Sequence, residues 1–196
     1  MATSNVADVS PSHNPSSYIH RLDASHYLIY RCMRLRLLTD APQLFGSNYA
    51  REAAFSTETW VKRLENPLSA VWVATPTPAM ATFVGIDEDA AAKHYIGTIG
   101  CIGGFPPDPS HAWIAGMWVA PEARGRGVAS ELVKAAVAWA RDIKREDGRR
   151  AFTTLTLTCN EENVAARTLY VRSGFAEVED EEEAAKGHVA MRCRDF

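Results

Sequence analysis

The stretch Trp118-Val119-Ala120-Pro121-Glu122-Ala123-Arg124-Gly125-Arg126-Gly127-Val128-Ala129 decides the fold of this chain. Before it, the apolar residues 113–119 read as a strand that ends at Pro121. After it, residues 127–144 read as a long helix with Val128, Leu132, Val133, Ala136, Trp139 and Ala140 on one face. Between them lies a turn with two glycines. A helix N-terminus exposes unpaired N–H groups and about half a positive charge, so it receives a phosphate readily. Glycine lets the backbone come close to such a ligand, where a Cβ would stand in the way. Arg124 and Arg126 add charge there or hold the turn in shape.

Rival readings of the turn fail on specific residues. A P-loop needs G-x-x-x-x-G-K-[ST], and the Lys-Ser/Thr pair is missing. A dinucleotide fingerprint needs a third glycine, and Ser130 stands in its place. R-G-R-G segments that bind RNA are repeated and disordered, whereas this one is a single copy between a strand and a helix. From the turn alone, a glycine turn with two solvated arginines stays open.

Outward from the turn, residues 152–159 alternate, with Leu155, Leu157 and Cys159 on one side and Thr154, Thr156 and Thr158 on the other. Residues 163–173 form a short helix, capped by Asn163 and stopped by Gly174. Strands 175–178 and 189–193 close the sheet as a hairpin. Upstream, residues 18–22 suit a first strand and 25–39 a helix stopped by Asp40-Ala41-Pro42. Phe45-Gly46-Ser47 falls in the following loop, and Ser56 caps a second helix. Residues 71–74, 81–85 and 95–102 read as strands, the last weakened by Gly97 and Gly100. A polar connector covers 87–93. The pattern predicts a mixed α/β sheet with helices on both faces.

The chain has 196 residues, which suits one domain. Residues 1–17, rich in Ser, Asn, Pro and Ala, read as a flexible tail, and 18–196 as a single domain. Apolar residues make up 46% and charged residues 23%, so wholesale disorder is excluded. Lys plus Arg is 21 and Asp plus Glu 24, a net charge of −3, which argues against a nucleic-acid partner. No apolar run reaches the roughly 20 residues of a membrane helix, and the start of the chain carries no apolar signal segment. The cysteines Cys32, Cys101, Cys159 and Cys193 lie far apart, without a C-x-x-C pair or nearby histidines. Neither disulfides nor a metal are expected, and the expected location is the cytoplasm.

Arg124-x-x-Gly127-x-Ala129 resembles the first motif, [QR]-x-x-G-x-[GA], of the GNAT superfamily of acyl-CoA-dependent N-acyltransferases. Asn163-x-x-Ala166-x-x-Leu169-Tyr170-x-x-x-Gly174-Phe175 resembles the second motif at every quoted position. The two stand in the family's order and separation. The match covers about residues 113–175. Phe45-Gly46-Ser47 is similar to the helix-to-helix loop of members that act on small amines.

The resemblance implies a mostly antiparallel, twisted sheet with a splay between two central strands, and acetyl-CoA as co-substrate. It implies that the N–H groups of Gly125, Arg126, Gly127, Val128, Ala129 and Ser130 hold the pyrophosphate, with Arg124 beside them. Met117, Trp118 and Val119 would pair with the pantetheine arm as an added strand, one N–H serving the thioester oxygen. Gly116 would mark the bulge that opens the slot. Asn163 reads as a helix cap, and the resemblance adds a contact with the cofactor. Tyr170 matches the tyrosine that protonates the departing thiolate, a role that suits a neutral phenol. Taken alone, Tyr170 also reads as a core residue.

The family's usual glutamates have no counterpart: neither 113–117 nor 157–159 offers a carboxylate. His111 acting through a water is one reading and a surface histidine the other. Glu122 faces solvent, and no base is assigned. The implied activity is acetyl transfer to the primary amine of a small molecule, directly and within a ternary complex. Acetylation of protein lysines or N-termini, and a CoA-binding module without turnover, remain as alternatives. Phe45, Gly46, Ser47 and Trp60 are the expected wall of the acceptor pocket. The acidic run 177–183 reads as a solvated loop, or as a lure for a cationic acceptor. A homodimer is left open.

Overall fold

A computed structural model describes residues 17–78 and 94–196. The expected strand 81–85, the connector 87–93 and all but the last residue of the expected tail lie outside the described residues. Ser17, assigned to that tail, is buried.

Among the described residues the sheet has seven strands: β1 (Tyr18–Arg21), β2 (Ser69–Thr75), β3 (Gly97–Gly103), β4 (His111–Val119), β5 (Thr154–Asn160), β6 (Phe175–Val178) and β7 (His188–Cys193). Their order is β1-β2-β3-β4-β5-β7-β6. Every neighbouring pair is antiparallel except β4 and β5. The closing hairpin therefore has an inner member, since β7 lies between β5 and β6.

Helix α1 (Tyr27–Asp40) turns Ile29, Met33, Leu37 and Leu38 inward. Helix α2 (Tyr49–Ala53) follows, capped by Asn48; it was not foreseen. Helix α3 (Thr57–Glu65) starts at Ser56, whose Oγ accepts from the Thr59 N–H at 3.3 Å, as the sequence predicts. Helix α4 (Val128–Asp142) packs on β2, β3 and β4 through Val128, Leu132, Val133 and Ala136. It stops short of the expected 144; Ala151 instead donates its N–H to the Ile143 carbonyl, and Lys144 bridges to Arg150. Helices α5 (Val164–Arg172) and α6 (Glu181–Ala184) complete the set.

Side-chain phase separates the two faces. Trp72 stacks edge-on with Trp139 of α4, which sets Ala70 and Ala74 on the same face. A Cβ at Gly97 would lie 3.0 Å from Leu132 and 3.3 Å from Val128, so the missing side chain lets α4 close onto β3. The glycines that weaken this strand on propensity serve packing instead. Helices α1 and α3 cover the opposite face, against β2 and β4.

Candidate active site

Strands β4 and β5 pair only over His111–Trp113 against Thr154–Thr156. Beyond that they part, and the β4 edge from Ile114 to Val119 has no partner on its β5 side. The cause lies in β4 itself. Thr98 faces Trp118 and Gly100 faces Ala115, so Ile99 is opposed by two residues, Gly116 and Met117. Gly116 has φ +62, which a side chain would resist. This is the expected bulge, and it bends the strand away from β5. It also explains an odd spacing. Simple alternation sets Trp113 and Trp118 on opposite faces, whereas the extra residue returns both to the side of α1.

Trp118 is anchored there. Its Nε1–H donates to Asp40 Oδ2 at 2.8 Å, and the Arg36 guanidinium lies 4.9 Å above its ring. Asp40 also accepts from Arg124 Nη2 at 2.8 Å, while Arg124 Nε donates to the Val119 carbonyl at 3.0 Å. Arg124 is thus committed to holding the turn, one of the two roles read from sequence.

Past that clamp, Gly125 and Gly127 have φ +74 and +83. Gly127 is the cap residue of α4 and offers no side-chain acceptor. The backbone N–H groups from Gly125 through Ser130 donate to no acceptor among the described residues. A Cβ at Gly125 would meet nothing within 4 Å. Arg126 is exposed and makes no ion pair with a described residue. Free donors, a helix dipole and an uncommitted cation converge on open space, which fits a pyrophosphate.

Across the splay, Asn163 Oδ1 accepts from the Ala166 N–H at 3.1 Å and caps α5, with its NH₂ left over. Tyr170 is 5% exposed and stacks edge-on with Phe175 at 6.0 Å. It makes no hydrogen bond with a described residue. Burial pushes its phenol well above the ordinary value, and the neighbouring Cys159 of β5 adds to the shift. A phenol so placed holds its proton at any working pH.

No carboxylate lies on the splayed halves of β4 and β5. His111 sits at the paired end, where Nε2 meets Thr156 Oγ1 at 2.7 Å. Glu122 pairs with Arg36 at 2.9 Å. Burial pushes the Cys101 thiol up to about 12, and the Cys159 thiol is also raised, chiefly by burial, so neither is a ready nucleophile.

A cavity of about 590 Å³ lies between α1, α3 and strands β2 to β4. Gly116 and Ala115 form one wall, so the cavity meets the bulge. Tyr30, Arg34 and Leu37 contribute from α1, Lys62 and Arg63 from α3. Of the residues expected to wall an acceptor pocket, none touches it directly. Gly46 is exposed, and Trp60 is fully buried. Phe45, Ser47 and Trp60 instead support a buried ionic group behind the wall. Arg34 Nε donates to both Glu52 oxygens at 3.1 Å and Nη2 to Oε1 at 2.8 Å. Arg63 Nη1 reaches Glu52 Oε2 at 3.0 Å. Ser47 also hydrogen-bonds Glu52, Phe45 lies under the Arg34 guanidinium, and Trp60 under that of Arg63. Burial works to raise the Glu52 pKa, but Arg34, Ser47 and Arg63 outweigh it, so the carboxyl lies below its ordinary range. Sequence reasoning missed this group. Its signal was Arg34 at helical spacing between Tyr30 and Leu37, on a stripe otherwise apolar.

The acidic run is not a simple loop. Glu181–Ala184 is helix α6, capped by Asp180. Glu177 pairs with Arg167 at 2.7 Å, Glu182 and Glu183 with Lys186 at 2.9 and 2.8 Å, and Glu183 with His188 at 3.0 Å. Among the described residues no His, Cys, Asp and Glu group could hold a metal, and no helix is long and apolar enough to cross a membrane.

A sheet splayed at a bulge, with a bare helix N-terminus at the mouth, defines a fold with room for a phosphate-bearing ligand at its open edge. The family described as acetyltransferase (GNAT) matches residues 47–175. No curated protein matches the chain significantly. Solved structures with the same fold include a GNAT-family acetyltransferase from Streptococcus pneumoniae, with TM-score 0.65 and 14% identity, over 90% of this chain and 97% of that one. Another is a ribosomal-protein-alanine N-acetyltransferase from Brucella melitensis, with TM-score 0.59 and 16% identity over 89% and 98%. A third is a predicted acetyltransferase with acetyl-CoA from Clostridium acetobutylicum, with TM-score 0.55 and 19% identity over 84% and 92%. The chain belongs to the GNAT family and is an acetyl-CoA-dependent N-acetyltransferase.

Proposed function

We propose that the protein moves an acetyl group from acetyl-CoA to the primary amine of a small molecule, directly and within a ternary complex. The observation that carries this reading is the cavity of about 590 Å³ that opens onto the bulge at Gly116. Its volume suits a small molecule, and its position brings an acceptor to the unpaired edge of β4.

Acetyl-CoA supplies an acetyl group activated as a thioester. In our reading the N–H groups of Gly125 through Ser130 hold its pyrophosphate, with Arg126 adding charge and Arg124 fixing the turn. The main chain of Met117, Trp118 and Val119 pairs with the pantetheine arm, and Asn163 turns its free NH₂ to the same arm. The acceptor amine enters neutral: the cations around the cavity disfavour an ammonium, and no carboxylate is needed to take its proton. Its lone pair forms the C–N bond as the C–S bond breaks, and Tyr170 passes its proton to the thiolate. The excess proton on nitrogen leaves to water, and the Tyr170 phenolate takes a proton back from water, which restores the phenol for the next turnover. Residues 18–196 serve as a single acyltransferase domain. The four free cysteines suit a reducing cytoplasm.

A second reading is acetylation of a protein N-terminus, favoured by the likeness to the Brucella enzyme. An acceptor screen that follows CoA release over small amines, amino acids and peptides decides between them. Turnover of small amines with peptides inert supports the first reading, and the reverse overturns it.

A further inference from the structure

The cavity is basic, and its charge is incompletely balanced. Glu52, 1% exposed, is shared by Arg34 and Arg63, so two guanidiniums face one carboxylate. No other described carboxylate pairs with either arginine. Among the described residues Lys62, at the same wall, pairs only with Glu58 at 2.6 Å, with the two side chains 68% and 73% exposed; such a rim pair holds weakly.

The unused donors are aimed. Arg34 spends Nε and Nη2 on Glu52, which leaves Nη1 without a partner among the described residues. That Nη1 lies 3.3 Å from where a Cβ on Gly116 would stand, so it reaches the bulge itself. Arg63 uses Nη1 on Glu52 and rests against the rings of Phe55 and Trp60 at 4.8 and 5.2 Å. Stacking fixes its plane, and Arg63 lines the cavity with donors beyond the Nη1 spent on Glu52.

We infer that the acceptor carries a carboxylate beside its amine, and that Arg34 and Arg63 bind this carboxylate in the cavity. The inference rests on the small-amine reading above and narrows its substrate class to amino acids and close relatives. One more negative charge balances the pair of guanidiniums against Glu52. A planar carboxylate suits guanidinium donors in fixed planes, as Glu52 already demonstrates in the same cluster. Held there, the α-amine stands two bonds from the carboxylate carbon and therefore close to Gly116. A purely cationic amine would meet three cations, Arg34, Lys62 and Arg63, against the two carboxylates Glu52 and Glu58. The acidic run, far along the sheet and tied to Arg167, Lys186 and His188, offers such an amine no alternative.

The test uses the full chain and sets of three matched acceptors that share a side chain: an amino acid, its primary amide, and the amine without the carboxyl. Phenylalanine, phenylalaninamide and phenethylamine form one set, with leucine and glutamine sets beside it. The amino acid is expected to show at least a tenfold higher kcat/KM than its amide or amine in at least one set, carried by KM. In Arg63→Gln that ratio should fall to within about threefold of one, and Arg63→Lys should restore part of it. Phosphoethanolamine against ethanolamine distinguishes a carboxylate from a phosphate; a larger preference there overturns the inference. Turnover of amines with no preference for the carboxylate also overturns it, yet leaves small-amine acetylation standing. Inertness of every small amine, with peptides turned over, removes the proposed function and the inference together. A wild-type preference unchanged in a folded Arg63→Gln takes the carboxylate away from this pair and overturns the assignment.

Discussion

Tyr170 and Glu52 are both buried polar residues, yet their surroundings push their protons in opposite directions. Burial holds the Tyr170 phenol protonated, above its ordinary value of 10.0. If Tyr170 is the acid that we propose, Tyr170→Phe should lower kcat by about 10²–10⁴-fold and leave the Kd of acetyl-CoA nearly unchanged, since that role needs the proton only as the thiolate leaves. Stopped assays of CoA release, paired with calorimetry, read both quantities. Because the folded pKa is raised, Tyr170 should contribute no fall in kcat between pH 7 and about 10. Glu52 is the reverse case. Its folded pKa lies below the ordinary 4.5, so its stabilising contribution is present above that value and is lost as pH falls through the folded one. Glu52→Gln should cost about 3 kcal/mol, the low end for breaking a buried pair, because Arg63 keeps 35% of its side chain exposed. Urea melts at pH 7 and at pH 4 check this, with a smaller gap between variant and wild type expected at the lower pH. Tyr170 was legible in sequence through the motif that surrounds it. Glu52 was not, since an isolated acid in a polar stretch gives no sign of the arginines that reach it from α1 and α3.

The elements differ in how far their own residues dictate them. Helix α4 was readable almost to the residue because its apolar stripe, glycine cap and preceding proline agree. Strand β3 was readable only in part: its glycines argue against a strand locally and are explained by Leu132 and Val128 of α4, which lie far away in sequence. Helix α6 was hidden inside an acidic run whose charges suggest repulsion, until Lys186 and His188 fold back on it. The N-terminus of α4 carries its own prediction. Arg126 is exposed and pairs with no described residue, so Arg126→Gln should leave the fold intact while raising the Kd of acetyl-CoA about three- to tenfold. Titration calorimetry at low salt reads the change, and an unaltered Kd would remove Arg126 from the phosphate site.

At the scale of the whole molecule, a net charge of −3 conceals a division of labour. The acids of the β6–β7 end are largely satisfied by local partners, whereas the turn before α4 and the α1–α3 cavity keep unbalanced cations. Both faces that our reading gives to ligands thus favour anions. Replacing Glu181, Glu182 and Glu183 by Gln should leave the acceptor KM within about twofold and cost some stability of α6. Added salt should raise the KM of acetyl-CoA in wild type, because exposed charges are screened within about 10 Å at 0.1 M. Steady-state kinetics at two ionic strengths tests both statements. A sheet with helices on either side followed from the sequence because periodicity and turn residues encode it. The chemistry of the cavity did not, because it is assembled from segments distant in the chain.

An extended chain keeps parity: odd residues look one way and even residues the other. The extra residue at Gly116 inverts that parity halfway along β4, so the strand obeys one rule before the kink and its opposite after it. Met117 to Val119 can then follow a course of their own while Trp113 stays zipped to β5. The same kink forms an end of the cavity. The unpaired edge that our reading gives to one ligand and the cavity that it gives to the other therefore share a single mechanical joint, and anything that straightens it disturbs both at once.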